Sequence, residues 1–305
     1  MNRKDDTVMT APIIGVSPAY CISRFRDRFS AEQMATGLED VAAMGFGGFQ
    51  PEVFHREALS DWQQSGAALV AGRARALGLR ATQFVAHFML HAFSTPQHLG
   101  NDTTLEDMQA VIDIVTQFDG CQIITVPLGA FDTTESTPAG GVLDHFERFR
   151  DSIGRLAEAA TAADCRIALE IMPGSVIGGI DGFIRLSADL GTAAIGLNFD
   201  TGHAWAAGED VLRIPERIGK QIIGTHLCDN FGHENLSLRP GAGSIAWPRL
   251  IPALAAAGYE GAWDIEIICP PECCREEYEQ AHHFLASHIQ PATADIPAPQ
   301  GGSHA

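Results

Sequence analysis

Ile195-Gly-Leu-Asn-Phe-Asp-Thr-Gly-His203 is an apolar run that stops abruptly on a carboxylate, Asp200. Three other runs stop in the same way: Ile167-Ala-Leu-Glu170, Ile222-Ile-Gly-Thr-His226 and Trp263-Asp-Ile-Glu266. Successive stops are separated by the length of a strand, a helix and their loops. An unpaired charge is costly to bury. Four such stops in rhythm predict strand ends that converge on something positive, and a divalent metal ion is the simplest candidate. The bland alternative is four separate polar caps, each salt-bridged locally.

Outward from these runs, the chain alternates strand-length apolar stretches with helical periods. The stretches fall at 13–17, 47–50, 81–87, 122–127, 166–171, 194–200, 222–226 and 262–267. Between them lie stripes such as Leu105, Met108, Val111, Ile112 and Val115, whose steps of three and four share one helical face. One helix runs through Trp62, Leu69, Val70 and Leu77; another, near 211–220, is short and holds Pro215. Ser30-Ala-Glu-Gln33 and Thr103-Thr-Leu-Glu106 read as capping boxes. Gly45, Gly78, Gly120, Gly191 and Gly258 sit where helices should stop. Eight strand–helix units predict a parallel sheet closed into a single (β/α)8 TIM barrel over residues 11–290. No glycine-rich GxGxxG follows the first strand, which weakens a dinucleotide-binding reading. Residues 1–10 are expected to be a flexible N-terminus, and the Pro-, Ala- and Gly-rich 291–305 a disordered tail.

Alternation places the four polar stops. If Ile167, Leu169 and Ile171 face the helices, Glu170 faces the barrel axis with Ala168. The same argument turns Asn198 and Asp200 inward, and Asp264 with Glu266. The strand of His226 is less clean, because Thr225 then faces outward. All four end near the C-terminal mouth, where barrels of this class carry their sites. Three carboxylates and one imidazole suit Mn²⁺, Mg²⁺ or Co²⁺ in octahedral geometry, and Zn²⁺ less exclusively.

Composition narrows the field. The 305 residues are 46% hydrophobic and 19% charged, as in an ordinary globular chain. A formal charge of −18 repels phosphate backbones, so no nucleic-acid partner is expected. Arg24-Phe-Arg-Asp-Arg28 reads as a solvated loop. The seven cysteines are odd in number and scattered, which argues against a disulfide framework. Cys269 with Cys273-Cys274 lacks the spacing of a thiolate metal site. There is no signal-peptide pattern at Met1-Asn-Arg-Lys and no run long enough to span a membrane. The expected location is the cytoplasm.

These motifs resemble the xylose isomerase-like barrel superfamily, in its sugar phosphate isomerase/epimerase branch, over about residues 12–290. Ala168-Leu-Glu170 is similar to the family's strand-five ligand motif, and Asn198-Phe-Asp-Thr-Gly-His203 to its D-T-G-H signature. Thr225-His-Leu-Cys-Asp-Asn230 resembles H-x-x-D-N, Pro240-Gly-Ala-Gly-Ser-Ile-Ala-Trp247 the P-G-x-G-x-I-x-W turn, and Asp264-Ile-Glu266 the last ligand. Relatives include ketose 3-epimerases, hydroxypyruvate isomerase, inosose dehydratase, 3-dehydroshikimate dehydratases and class II apurinic endonucleases. The resemblance implies one divalent ion, most simply Mn²⁺, held by Glu170, Asp200, His226 and Glu266. It implies a metal-dependent isomerase or epimerase acting on a small sugar, keto-sugar or polyol through an enediolate, with Glu170 and Glu266 as acid and base. His203 and His87 match histidines that face the site in relatives; the alternative for His203 is a loop histidine that caps a strand end.

Other expectations are weaker in the residues themselves. Gln50 is placed to bind a substrate hydroxyl, and Glu52 reads as a solvated loop acid. Asp229 and Asn230 either bind substrate or cap their loop, and Arg239 either clamps substrate or is a plain loop cation. Trp205 walls a sugar face or fills the core. In ketose epimerases a glutamate and an arginine follow the first and third ligands by six residues; here those places hold Val176 and Gly232. That departure keeps a lyase as the alternative: an inosose dehydratase-like or 3-dehydroshikimate dehydratase-like enzyme, or one eliminating from a 3-keto-glycoside. An accessory, non-catalytic subunit is a third class, and a homo-oligomer is expected. The DNA-repair reading fails on charge and on the extra ligands it needs.

Overall fold

The computed structural model describes residues 12–134 and 142–289; the expected tails at 1–10 and 291–305 lie outside them. Among the described residues nine strands are formed: β1 (Ile14–Val16), β2 (Gly48–Phe49), β3 (Arg80–Ala81), β4 (Phe84–Val85), β5 (Ile123–Leu128), β6 (Arg166–Ile171), β7 (Ile195–Asp200), β8 (Ile222–His226) and β9 (Trp263–Ile265). They make two parallel arcs, β3-β2-β1-β9 and β4-β5-β6-β7-β8. Isolated parallel bridges, Glu52 to Val85 and Leu227 to Ile265, join the arcs at both seams. The ring is therefore closed, and the fold is a (β/α)8 barrel. Eight strand positions carry nine segments because the third is broken.

The break corrects the expected strand at 81–87 and has a cause. Thr82 donates its hydroxyl to the Phe49 carbonyl and to Asp264, at 3.0–3.2 Å. Gln83 turns its amide into the barrel, donating to Asn198 Oδ1 and accepting from the Thr125 hydroxyl, both at 2.9 Å. The Thr82 N–H still donates to the Phe49 carbonyl at 2.9 Å, and across these two residues the pairing passes from β2, at Arg80–Ala81, to β5, at Phe84–Val85. The strand then ends at Val85, and His87 opens a 3-10 helix, His87–Phe93, rather than closing a strand.

The barrel interior under the mouth is thus polar, and glycines make room for it. A Cβ on Gly15 would lie 2.0 Å from Asp264 Oδ1, and one on Gly224 would lie 2.2 Å from Gln83 Oε1 and 2.7 Å from Asn198 Oδ1. Outside the ring, Ile124, Val126, Ile167, Leu169, Leu197 and Phe199 are buried against the helices.

Helix signals match the structure except at two places. Ser30 and Gln33 form a reciprocal capping box on helix Ala31–Ala43, which buries Met34, Leu38 and Val41. Gly78 and Gly191 end their helices in the left-handed region, at φ of 70° and 58°. The box expected at Thr103 is absent: helix Thr103–Val115 has Asp102 at its cap position, and Asn101 Oδ1 accepts from the Thr103 N–H instead. The stripe from Trp62 to Leu77 also holds a π turn over Trp62–Gly66 before the α-helix Ala67–Leu77. Gly66 lies there so close to Ala31 that a Cβ would approach it to 2.9 Å. Among the described residues, no helix is long and apolar enough to cross a membrane. All seven cysteines are free thiols.

Candidate metal centre

Each of the four polar stops is delivered to the mouth by a strand end. Glu170 is the penultimate residue of β6, and Asp200 and His226 close β7 and β8 opposite each other in register. Glu266 follows β9, held by its backbone N–H donating to the Leu227 carbonyl at 3.0 Å. One ligand atom from each lies within 4.8 Å of all the others. Glu170, Asp200 and His226 are buried, and Glu266 is partly exposed. The cluster is the only one of its kind among the described residues.

His226 organises the group. Its Nδ1 is 2.9 Å from Glu170 Oε1 and 2.8 Å from Glu266 Oε2. Its Nε2 is 2.7 Å from Gln50 Oε1. A carboxamide oxygen only accepts, so Nε2 donates to Gln50, while Nδ1 faces the two carboxylates, to which it donates while protonated and from which an ion would displace that proton. Asp200 accepts from the His203 N–H through Oδ1 at 2.7 Å. Its other oxygen, Oδ2, is buried with no hydrogen-bond partner.

The electrostatics describe a cradle short of positive charge. Burial pushes the Asp200 carboxyl up to about 7, with Glu266 and Glu170 adding to the rise against the nearby His203. Burial disfavours the charged imidazole of His226, but Glu266 and Glu170 outweigh it and raise its pKa well above the ordinary value. Burial likewise raises Glu170, but the charge and hydrogen bond of His226 bring it below the carboxylate range. Three carboxylates packed together need a cation. An orphaned buried oxygen, two glutamates and an available imidazole nitrogen together make the donor set of a hard or borderline divalent ion.

The other residues singled out in the sequence are distributed around this cradle. His203 Nε2 is 3.8 Å from Asp200 Oδ2, and its Nδ1 is 3.2 Å from the Asn235 amide. Gln50 touches the centre through His226 rather than standing apart from it. His87 stacks on Phe54, with ring centroids 4.0 Å apart and planes 12° from parallel. Its Nδ1 is 3.7 Å from Glu52 Oε1. Trp205 donates its indole N–H to Ser244 Oγ at 3.0 Å and covers Gly232. Arg239 pairs with Glu277 at 3.3 Å.

One carboxylate departs from its sequence reading, and another takes the loop-capping alternative of its two. Glu52, read as a solvated loop acid, is only 2% exposed. Burial, helped by Glu266, raises its pKa well above the usual range. Asp229 is fully buried and its two oxygens accept from the N–H groups of Asn230, Gly241 and Ile245 and from the Trp247 indole, at 2.8–3.1 Å. It fastens the long loop after β8 to the start of helix Trp247–Ala256. Asn230 likewise donates to the Gly202 carbonyl and accepts from the Gly232 N–H.

With the barrel and its four-residue mouth in place, comparison with known proteins supplies the class. Residues 38–288 match the family described as Xylose isomerase-like TIM barrel, and the chain belongs to that family. An uncharacterized protein of Methanocaldococcus jannaschii is 27% identical over 168 residues, covering 53% of this chain and 56% of that protein. Another, from Sinorhizobium fredii, is 30% identical over 113 residues, or 37% and 35% of the two chains. The chain thus spans about half, or less, of the curated relatives it matches. Among solved structures, the IOLI protein with a zinc atom superimposes with a TM-score of 0.72 at 14% identity, covering 91% of this chain and 99% of that one. The 3-keto-D-glucoside 4-epimerase YcjR of E. coli gives 0.70 at 16% identity, covering 90% and 99%. At those identities the likeness is one of fold.

Proposed function

We propose that this protein is a divalent-metal-dependent isomerase or epimerase of a small sugar, keto-sugar or polyol. The observation that carries the reading is the convergence of Glu170, Asp200, His226 and Glu266 within 4.8 Å, with Asp200 Oδ2 buried and unpartnered. The zinc atom of the IOLI protein and the epimerase name of YcjR, on the same fold, agree with it. A bound ion would hold a substrate carbonyl and its neighbouring hydroxyl and offset the charge that builds on them. Glu170 and Glu266 come from different strands yet reach the same imidazole nitrogen. One carboxylate removes the proton beside the carbonyl, leaving an enediolate, and the other returns a proton to the carbon. Gln50 holds the ring of His226 in the tautomer that keeps Nδ1 for the centre.

A second reading, a lyase that dehydrates beside a carbonyl, is favoured by one observation. Val176 packs against the core, and Gly232 is a left-handed turn residue beneath Trp205. Neither can supply the carboxylate and guanidinium that ketose epimerases have there. His203, half-buried beside Asp200, would then give its proton to the departing hydroxyl.

One experiment separates these readings. Purified protein loaded with Mn²⁺ is incubated in D₂O with a panel of ketoses, keto-sugars and inososes, followed by NMR. Deuterium appearing at one carbon with the skeleton intact marks the isomerase, and loss of water marks the lyase. Glu170→Gln is expected to lower turnover by about 10²–10⁴, the usual worth of a positioned base, with the melting profile of a folded barrel. Full activity in both Glu170→Gln and Glu266→Gln would remove the proposed base, and metal analysis that finds no divalent ion would remove the centre.

A further inference from the structure

A second recess opens beside the metal centre. It is a cavity of about 330 Å³ between the segment after β2, the 3-10 helix His87–Phe93 and the start of helix Thr103–Val115. Ligand pockets run from about 300 to 1,000 Å³, so this one has room for a single compact group. His87 forms part of its wall. The same imidazole reaches toward Glu52 at 3.7 Å, and Glu52 lies two residues past Gln50, whose Oε1 is 2.7 Å from His226 Nε2. The recess therefore adjoins the proposed reaction centre, with His87 as the shared wall.

Its chemistry is that of hydrogen bonding without a free cation. Arg56 grips Asp107 through three contacts of 2.8–3.1 Å, which commits that guanidinium to a carboxylate, and Glu57 leaves the wall acidic rather than basic. The remaining polar groups include His91, Asn101 and Thr103, which are exposed at the rim. The side chain of Asn101 accepts from the Thr103 N–H through Oδ1, which turns its NH₂ away from that bond. Phe88 and Met89 are buried at the apolar side, and the Phe54–His87 stack supplies a flat aromatic edge. Uncharged donors and acceptors around an aromatic edge suit a polyhydroxylated ring. They do not suit a phosphate, which needs free cations or a phosphate-binding loop.

We propose that this recess is a binding subsite for a second sugar ring, so that the substrate is a glycoside or other two-ring carbohydrate whose reacting ring sits at the metal. The proposal rests on the isomerase or lyase reading of the centre. Phosphorylated sugars are excluded as its occupants, and single-ring sugars leave it empty.

The test uses the full-length, Mn²⁺-loaded protein with glucose, maltose, cellobiose and sucrose as probes in calorimetric and saturation-transfer NMR titrations. At least one disaccharide is expected to bind about tenfold tighter than glucose, with saturation transferred to both rings. Thr103→Trp fills the rim at an exposed helix start and His91→Ala trims it. Each is expected to bring disaccharide affinity down toward that of glucose, with the melting temperature of the parent protein. The proposal is overturned if no disaccharide exceeds glucose, or if Thr103→Trp leaves the advantage intact. Its failure is separable from that of the centre. Deuterium uptake by a single-ring keto-sugar without any disaccharide advantage removes the subsite and keeps the reaction. Disaccharide binding with no turnover of any probe keeps the subsite and removes the reaction.

Discussion

Asp229 accepts four hydrogen bonds with two oxygens and has no exposed surface. Replacing it with alanine strands three buried donors, of Asn230, Ile245 and Trp247, and a part-buried one of Gly241, and each unmet buried donor costs about 1–3 kcal/mol. Asp229→Ala is therefore expected to lose at least about 3 kcal/mol in urea unfolding; a loss under about 1 kcal/mol would show that the loop finds other partners. The sequence left loop capping and substrate binding open for Asp229, because three of the four donors come from 241–247, which nothing local ties to position 229. Glu52 was misread for a related reason. The strand before it, β2, spans only Gly48–Phe49, too short for alternation to show which way the next side chains face. The four metal-centre candidates were legible for the opposite reason. Glu170, Asp200 and Glu266 stand at strand ends whose alternating apolar residues leave one orientation open, while His226 was legible from its place in the rhythm of the other three. The role of Gln50 as partner of His226 Nε2 was not, since a contact across the barrel leaves no local pattern.

Elements were readable where period and punctuation agreed. Six-residue β5, β6 and β7 lie within a residue or so of their apolar runs. The third strand was overcounted because Thr82 and Gln83 look compatible with a strand but spend their side chains on Asp264, Asn198 and Thr125. The π turn at Trp62–Gly66 leaves the apolar stripe nearly unchanged and so is invisible to it. The polar interior layer also constrains β8. Gly224 faces Gln83 Oε1 and Asn198 Oδ1 at distances no Cβ tolerates. Gly224→Ala is expected to cost about 1–3 kcal/mol as an overpacking change, read as a lowered melting temperature. An unchanged melting temperature would mean that Gln83 and Asn198 can shift aside without losing their bond.

For the whole molecule, the proposed centre is expected to couple stability to pH and to metal. Without an ion, the Asp200 carboxyl holds its proton up to about 7 in the folded state, against an ordinary 3.8. A raised folded pKa adds stability that is fully present below the unfolded value and is lost as pH rises through the folded one. His226, raised above 6.5, acts in the same direction at higher pH. Glu170, lowered, contributes stability that is lost only in acid and does not oppose them between pH 5 and 8. Protein in EDTA is thus expected to melt lower at pH 8 than at pH 5. Mn²⁺ held there as proposed would replace the protons on these ligands, so its protection should grow over the same interval. At a hundredfold excess over its dissociation constant the ion adds about 2.7 kcal/mol. Equal melting with and without Mn²⁺ at pH 8 would contradict the centre. The contact between Gln50 and His226 makes this titration visible from inside. A hydrogen trapped at 2.7 Å between two buried groups is shielded from exchange with solvent. Its resonance should stand far downfield, and should move when the opposite ring nitrogen takes its partner, so a single proton spectrum can count loaded molecules without any substrate at all.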